Sequence, residues 1–230
     1  MLYDERAVRE GLRNREGKRV FYLAEGDKLT PSARDFLARE RIEILPPQLA
    51  KPQRYQLPDG SYLEEKPEHM THLNREFLVR KDHPRIRFRG AVDTLESELL
   101  LCGQAAPQWR KELEEALTLT RKLIACDVLG EPMQLSALGG LTPEQLRSHS
   151  HFPQEHYGQP HFMPEFTDSA ALLQLNRCRC AVRETELAAV AAFCPRGAPP
   201  QREDLLQALN RLSSLLYILM IKEKQTNAKL

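Results

Sequence analysis

Residues 168–193, DSAALLQLNRCRCAVRETELAAVAAF, read as one long helix. Asp168 and Ser169 are N-cap residues by type, and the interior is rich in Ala, Leu, Arg and Glu, which favour helix. Leu175, Val182, Ala189 and Phe193 recur at helical spacing and predict a core stripe. A helix of this length holds in water mainly by packing such a stripe, so the rest of the chain has to be organised around it.

Beside the core stripe runs a polar one: Asn176, Arg179, Arg183 and Glu186. Arginines at i and i+4 repel each other. Two readings stay open. In one, the face is solvated and Glu186 answers Arg183. In the other, an anion sits against the pair, because a guanidinium fork suits carboxylate and phosphate oxygens. A second helix favours the anion. Residues 202–224, REDLLQALNRLSSLLYILMIKEK, are strongly apolar yet interrupted by Asn210, Arg211, Ser213 and Ser214. Leu206, Asn210, Ser213 and Tyr217 share one face. Polar groups inside a Leu-rich helix need partners, a hydrogen bond to another helix being the simplest.

These motifs resemble a family. R-x-x-x-R-E-T-E (Arg179 to Glu186), then L-x-A-L-N-R-L-S-S (Leu206 to Ser214), is similar to the ethanolamine-utilisation type of ATP:cob(I)alamin adenosyltransferase. F-R-G-A-V-D-T-L-E-S (Phe88 to Ser97) resembles the glycine–aspartate helix start shared with the propanediol-utilisation type. L-T-P-S-A-R (Leu29 to Arg34) and T-H-L (Thr71 to Leu73) agree with the ethanolamine type, so the resemblance runs in order along nearly the whole chain.

The resemblance implies transfer of 5′-deoxyadenosyl from ATP to reduced cobalamin, giving adenosylcobalamin, with Mg²⁺ as the accompanying cation. It implies a homo-oligomer, trimer or dimer, with the active site between subunits. Asp93 matches an aspartate that pairs across that interface with the first arginine, here Arg179. Arg183 matches the arginine on the ATP phosphates, and Glu186 and Asn210 match other residues of the ATP site. H-F-M-P, His161 to Pro164, lies where relatives place an aromatic that displaces the lower axial base of cobalamin. That makes Phe162 and His161 the cobalamin-side candidates. The propanediol-type enzymes hold the triphosphate with a Gly- and Thr-rich loop that is missing here. Lys81 and Arg85, in the basic stretch LVRKDHPRIRFRG (residues 78–90), are read as substitutes for its donors, although that stretch also fits an exposed basic strand. The implied partners are ethanolamine ammonia-lyase as consumer of the product and a corrinoid reductase as electron source. The implied setting is the cytoplasm, within a bacterial microcompartment.

Composition narrows the alternatives. Lys plus Arg number 33 against 32 Asp plus Glu, a formal charge of +1, which is no electrostatic footprint for nucleic acid. The longest apolar run, Leu215 to Ile221, falls far short of the ~20 residues a membrane helix needs. The first residues are charged and polar, so no signal peptide is read and a soluble intracellular protein is expected. Five cysteines fit a reducing compartment better than a disulfide framework.

No metal site is assigned. His149, His151, His156 and His161 crowd residues 149–166, but their spacing matches no closed ligand set. Cys178 and Cys180 lie about 200° apart on a helix and read as core filling. Ethanolamine-type relatives carry a His and a Cys-Cys-x-x-Cys cluster just before the T-H-L motif. The corresponding stretch here, residues 52–73, has no cysteine. His69 and His72, at i and i+3, would share a turn if helical, which is too few ligands for a closed zinc site.

Three segments are expected. Residues 1–48 form a small α/β module, with Thr30 capping a helix that starts at Pro31. Residues 49–78 form a linker holding a hairpin, YQLPDGSYLEE, around a Pro-Asp-Gly turn. Residues 79–230 form a bundle of four to five helices. In it, Asp93 lies near the start of a helix that ends about Cys102. Pro107 opens a longer helix, TPEQLRSH is a short capped one, and residues 149–166 are irregular. The fold class is mainly α: by resemblance, a cobalamin adenosyltransferase-like helical bundle with a small N-terminal α/β module. Two other classes stay open: a non-catalytic corrinoid-binding or chaperone protein, and a structural microcompartment component.

Overall fold

The computed structural model describes residues 1–15, 17–50 and 55–227, and the chain forms two compact units, Met1–His83 and Pro84–Leu230.

In the first unit, β1 (Leu2–Tyr3) and β4 (Lys28–Leu29) pair in parallel. Helices α1 (Glu5–Glu10) and α2 (Pro31–Arg39) are capped by the side chains of Asp4 and Thr30. Strands β2 (Arg13–Arg15), β3 (Lys18–Tyr22), β5 (Glu43–Leu45), β6 (Tyr55–Gln56) and β7 (Tyr62–Leu63) make one sheet, in the order β5-β3-β2-β7-β6. Val8, Phe21, Ala33, Phe36 and Leu37 pack into its core. The expected hairpin is present. Leu57 and Ser61 close a turn in which Gly60 takes φ +84, a left-handed value that glycine reaches without strain. Its setting differs from the expectation of a linker. β7 pairs in parallel with β2, so the hairpin completes the N-terminal sheet, and the unit runs on to His83. Residues 51–54 of the same stretch lie outside the described residues. β8 (Met70–His72) and β9 (Leu78–Arg80) form a second hairpin. His72 therefore lies on a strand, and His69 and His72 do not share a helical turn.

The second unit is helical: α3 (Pro84–Ala105), α4 (Arg110–Leu129), α5 (Pro143–His151), α6 (Pro153–Tyr157), α7 (Ala170–Phe193) and α8 (Glu203–Asn227). Four are long and form the bundle. Ser169 caps α7 by accepting from the Leu172 N–H, and Thr142 with Gln145 forms a complete capping box on α5. The expected stripe, Leu175, Val182, Ala189 and Phe193, is buried, and it meets Phe88, Val92, Leu95 and Leu99 of α3 and Leu212, Leu216 and Leu219 of α8. Truncating such a leucine to alanine costs about 2–5 kcal/mol.

Expectations for this unit fail at three places. Asp93 is not near a helix start: α3 begins nine residues earlier, at Pro84. The arginines of residues 85–89 look like an exposed strand only because their counter-charge is distant in sequence. Arg85 and Arg89, one turn apart, both bond the carboxylate of Asp127 on α4, at 2.7 Å each. Residues 149–166 are also less irregular than read, since α5 runs through His151 and α6 follows at Pro153.

A buried carboxylate ties the helix ends together. Glu223, 3 % exposed, accepts from Gln108 Nε2, Trp109 Nε1, Ser169 Oγ and Asn227 Nδ2. Burial disfavours its charge, but the donors outweigh burial and hold its pKa below the ordinary value.

Candidate functional site

Helices α7, α8 and α5 and the segment before α7 enclose an open cleft of about 540 Å³. From α7 come Arg179 and Arg183, from α8 Asn210, Ser213, Ser214 and Tyr217, and from α5 Ser150 and His151. His161, Phe162 and Met163 close the remaining side. The 3.6-residue repeat puts Asn210, Ser213 and Tyr217 on one face of α8, and the same repeat stacks the two arginines on α7.

The arginines are poorly answered within the chain. Glu186 does not pair with Arg183. Its carboxylate accepts from Asn210 Nδ2 at 2.6 Å, and the same amide nitrogen donates to the Leu206 carbonyl. Arg183 is exposed and has no side-chain partner among the described residues. Arg179 donates one bond, from Nη2 to Asn176 Oδ1 at 3.3 Å, and its guanidinium lies 5.7 Å from the Tyr217 ring centroid. Its Nε is buried and has no acceptor. A covered N–H of that kind costs about 1–3 kcal/mol unless something arrives to accept it. The cleft therefore presents two guanidinium groups one turn apart with, among the described residues, no carboxylate bonded to either.

The opposite wall is aromatic. His161 Nε2 lies 3.2 Å from the His151 carbonyl, which can only accept, so Nε2 carries the proton in neutral imidazole. Nδ1 is then an acceptor, and the Tyr217 hydroxyl donates to it at 3.0 Å. The His161 and Phe162 rings stack on Tyr217, with centroids 5.6 and 6.0 Å away. Lys224 Nζ sits 5.5 Å from the centre of the Phe162 ring and pairs with Asp168. Burial opposes the charge on Asp168, but Lys224 and the Glu165 N–H outweigh it and lower its pKa.

The four histidines do not converge. His149 stacks on His156 at 3.8 Å and bonds the Tyr157 hydroxyl, while His156 bonds Ser148. Among the described residues, no group of three or more His, Cys, Asp or Glu side chains could hold a metal ion. Cys178 is buried against the Glu98 carbonyl, and Cys180 points outward. A larger cavity, about 710 Å³, lies in the first unit among Arg15, Glu64, Lys66, His69 and Arg80. There Glu64 Oε1 accepts from the Tyr22 hydroxyl and Arg80 is bidentate on Asp82.

Of the sequence-read site residues, Arg179, Arg183, Asn210, His161 and Phe162 line one cleft, and Glu186 borders it through Asn210. Asp93 is exposed on α3, outside the cleft lining. Arg85 does not line it either, because its guanidinium is held by Asp127. Lys81 is exposed in the first unit. Sequence reading missed Ser150 and Met163, which carry no periodic signal. Tyr217 was legible only as part of the polar face of α8.

A bundle with a guanidinium-lined cleft backed by aromatic rings suits a bulky ligand that carries anionic groups. Comparison with known proteins makes this specific. A family model described as cobalamin adenosyltransferase matches residues 61–223. The chain is 38 % identical over 157 residues to corrinoid adenosyltransferase EutT of Escherichia coli (strain K12), a match that covers 68 % of this chain and 59 % of that protein. It is 32 % identical over 230 residues to corrinoid adenosyltransferase EutT of Salmonella typhimurium (strain LT2), covering 90 % of this chain and 86 % of the relative. The chain belongs to the cobalamin adenosyltransferase family.

Proposed function

We propose that this chain is an ATP:cob(I)alamin adenosyltransferase serving ethanolamine utilisation. The observation that carries the reading is the Arg179–Arg183 pair on the cleft wall, with the buried Arg179 Nε left without an acceptor. Family membership and the two corrinoid adenosyltransferase relatives support the same reading.

In this reaction the Co(I) electron pair forms the bond to C5′ of ATP, the C5′–O bond breaks, and triphosphate leaves with that bond's electrons. Cob(I)alamin is a strong nucleophile, so no general base is needed. The protein's work is positioning and charge stabilisation. Arg183 meets the triphosphate, and Arg179 completes its hydrogen bonding on the same anion. Asn210 is oriented by Glu186 at the edge of the site. Mg²⁺, held mainly by phosphate oxygens and water, would neutralise further charge on the leaving group. Glu186, which borders the cleft through Asn210, would be a protein ligand for it. Phe162, with His161 locked on Tyr217, gives an apolar wall that favours the loss of the lower axial ligand of cobalamin.

Asp93 belongs to a second copy's cleft in this reading, pairing across the interface of a homo-oligomer with Arg179. Arg85, held on Asp127, takes no phosphate in this reading. The product would feed a lyase such as ethanolamine ammonia-lyase inside a bacterial microcompartment, with a corrinoid reductase supplying electrons.

The test is anaerobic incubation of the protein with cob(I)alamin and ATP, followed by absorbance. Conversion to the adenosylcobalamin spectrum with release of triphosphate is expected. A folded protein that binds ATP and cobalamin without forming the Co–C bond would overturn the enzymatic reading. Full activity of the monomer at high dilution would overturn the interfacial site.

A further inference from the structure

One charged group in the bundle has no role in the cleft just described. Arg211 follows Asn210 on α8 and points to the α5 side. The two helices meet there, the Ser150 hydroxyl donating to Ser214 Oγ at 3.0 Å. Arg211 precedes Ser214 by three residues and Arg147 precedes Ser150 by three. The Arg211 Nε is covered by protein and has no acceptor. Among the described residues, neither the Arg211 nor the Arg147 guanidinium has an ion-pair partner. Burial pushes the Arg211 pKa below the usual arginine value, and the like charge of Arg147 pushes it the same way. Glu144 pulls the other way, but its carboxylate accepts from the Thr142 hydroxyl.

We propose that Arg211 and Arg147 form a second phosphate-binding subsite on the α5–α8 flank of the cleft. Two guanidinium groups on facing helices, one with a covered N–H, would be completed by an oxyanion whose several lone pairs accept from both. The proposal rests on the functional reading above, because that reading supplies two phosphate-bearing substrates. The subsite takes a phosphate oxyanion, either from the polyphosphate of ATP or from the phosphodiester of the nucleotide loop of cobalamin. The other peripheral groups of the corrin are neutral amides.

The experiment titrates the whole protein with inorganic triphosphate, with cobalamin and with cobinamide, which lacks the phosphodiester. Arg211→Met keeps the length and apolar stem of the side chain and removes its charge. It is expected to weaken triphosphate or cobalamin binding about tenfold or more and to leave cobinamide unchanged. Arg147→Ala should weaken the same probe by a smaller factor. Weakened triphosphate binding assigns the subsite to the ATP tail. Weakened cobalamin binding with unchanged cobinamide assigns it to the phosphodiester. If folded Arg211→Met binds all three like the wild type, the subsite is overturned and Arg211 serves packing alone. Should Arg211→Met fail to fold, Arg147→Ala decides, and wild-type binding by that variant overturns the proposal. A wild-type protein that binds none of the probes overturns both the subsite and the functional reading, and so separates that failure from the other.

Discussion

Two pairs of arginines, each four residues apart on a long helix, have opposite fates. Arg85 and Arg89 on α3 converge on Asp127, which is 0 % exposed, and are themselves only 28 % and 15 % exposed. Arg179 and Arg183 on α7 face an open cleft with no carboxylate bonded to either among the described residues. The spacing is the same. The first pair shares one buried carboxylate supplied by the fold. In the proposed function the second meets an anionic ligand, which would relieve the like-charge repulsion of the pair. An i, i+4 arginine pair is therefore not by itself a sign of function. What sets the proposed ligand-binding pair apart is that no internal counter-charge bonds it among the described residues.

The largest effect is expected at the closed pair. Asp127→Ala should remove the buried carboxylate shared by two part-buried guanidinium groups and cost about 3–5 kcal/mol of stability. Thermal or denaturant unfolding reads this directly, and an unchanged melting temperature would erase the contrast between the pairs. Next comes Arg183→Ala. It should leave stability near wild type, because the side chain is exposed and unbonded, while ATP binding weakens by roughly 1.5–3 kcal/mol. A destabilised Arg183→Ala protein, or one with unaltered ATP affinity and turnover, would show that the open pair is not a substrate site.

Acid titration sharpens the comparison with a third charged group, Glu223, which is satisfied by neutral donors instead of by arginines. Its folded pKa lies below the ordinary 4.5. Its contribution is therefore complete above that value and is lost as pH falls through the lower folded value. Asp168 and Asp204 are depressed in the same sense. Stability should drop on the acid side of about pH 4.5, and Glu223→Gln should flatten that limb. A wild-type acid limb retained in Glu223→Gln would remove the carboxylate from the account. The smallest effect concerns metals. If phosphate completes the open pair, stripping zinc and iron and then supplying Mg²⁺ and ATP should leave turnover unchanged. Activity lost on chelation and restored only by zinc or ferrous iron would contradict this and turn attention to His149–His161.

Local geometry was legible in the sequence. Ser169 as a cap, the buried Leu175–Phe193 stripe, the Pro-Asp-Gly hairpin and the shared face of Asn210, Ser213 and Tyr217 follow from helix and turn periods, which depend on neighbours a few residues away. The ordered motifs also carried the family. Long-range partners decided the rest. Asp127 stands 42 residues from Arg85, and without that contact the first turns of α3 pass for a basic strand and Asp93 for a helix start. β7 lies beside β2, which turns an apparent linker into part of a sheet. Glu186 bonds Asn210 and not Arg183, so the cleft arginines are left open. A period is written in consecutive residues, but a counter-charge depends on which distant helix packs alongside and how much water it displaces. Only the tertiary structure could separate the arginines held by a carboxylate from those that face the open cleft.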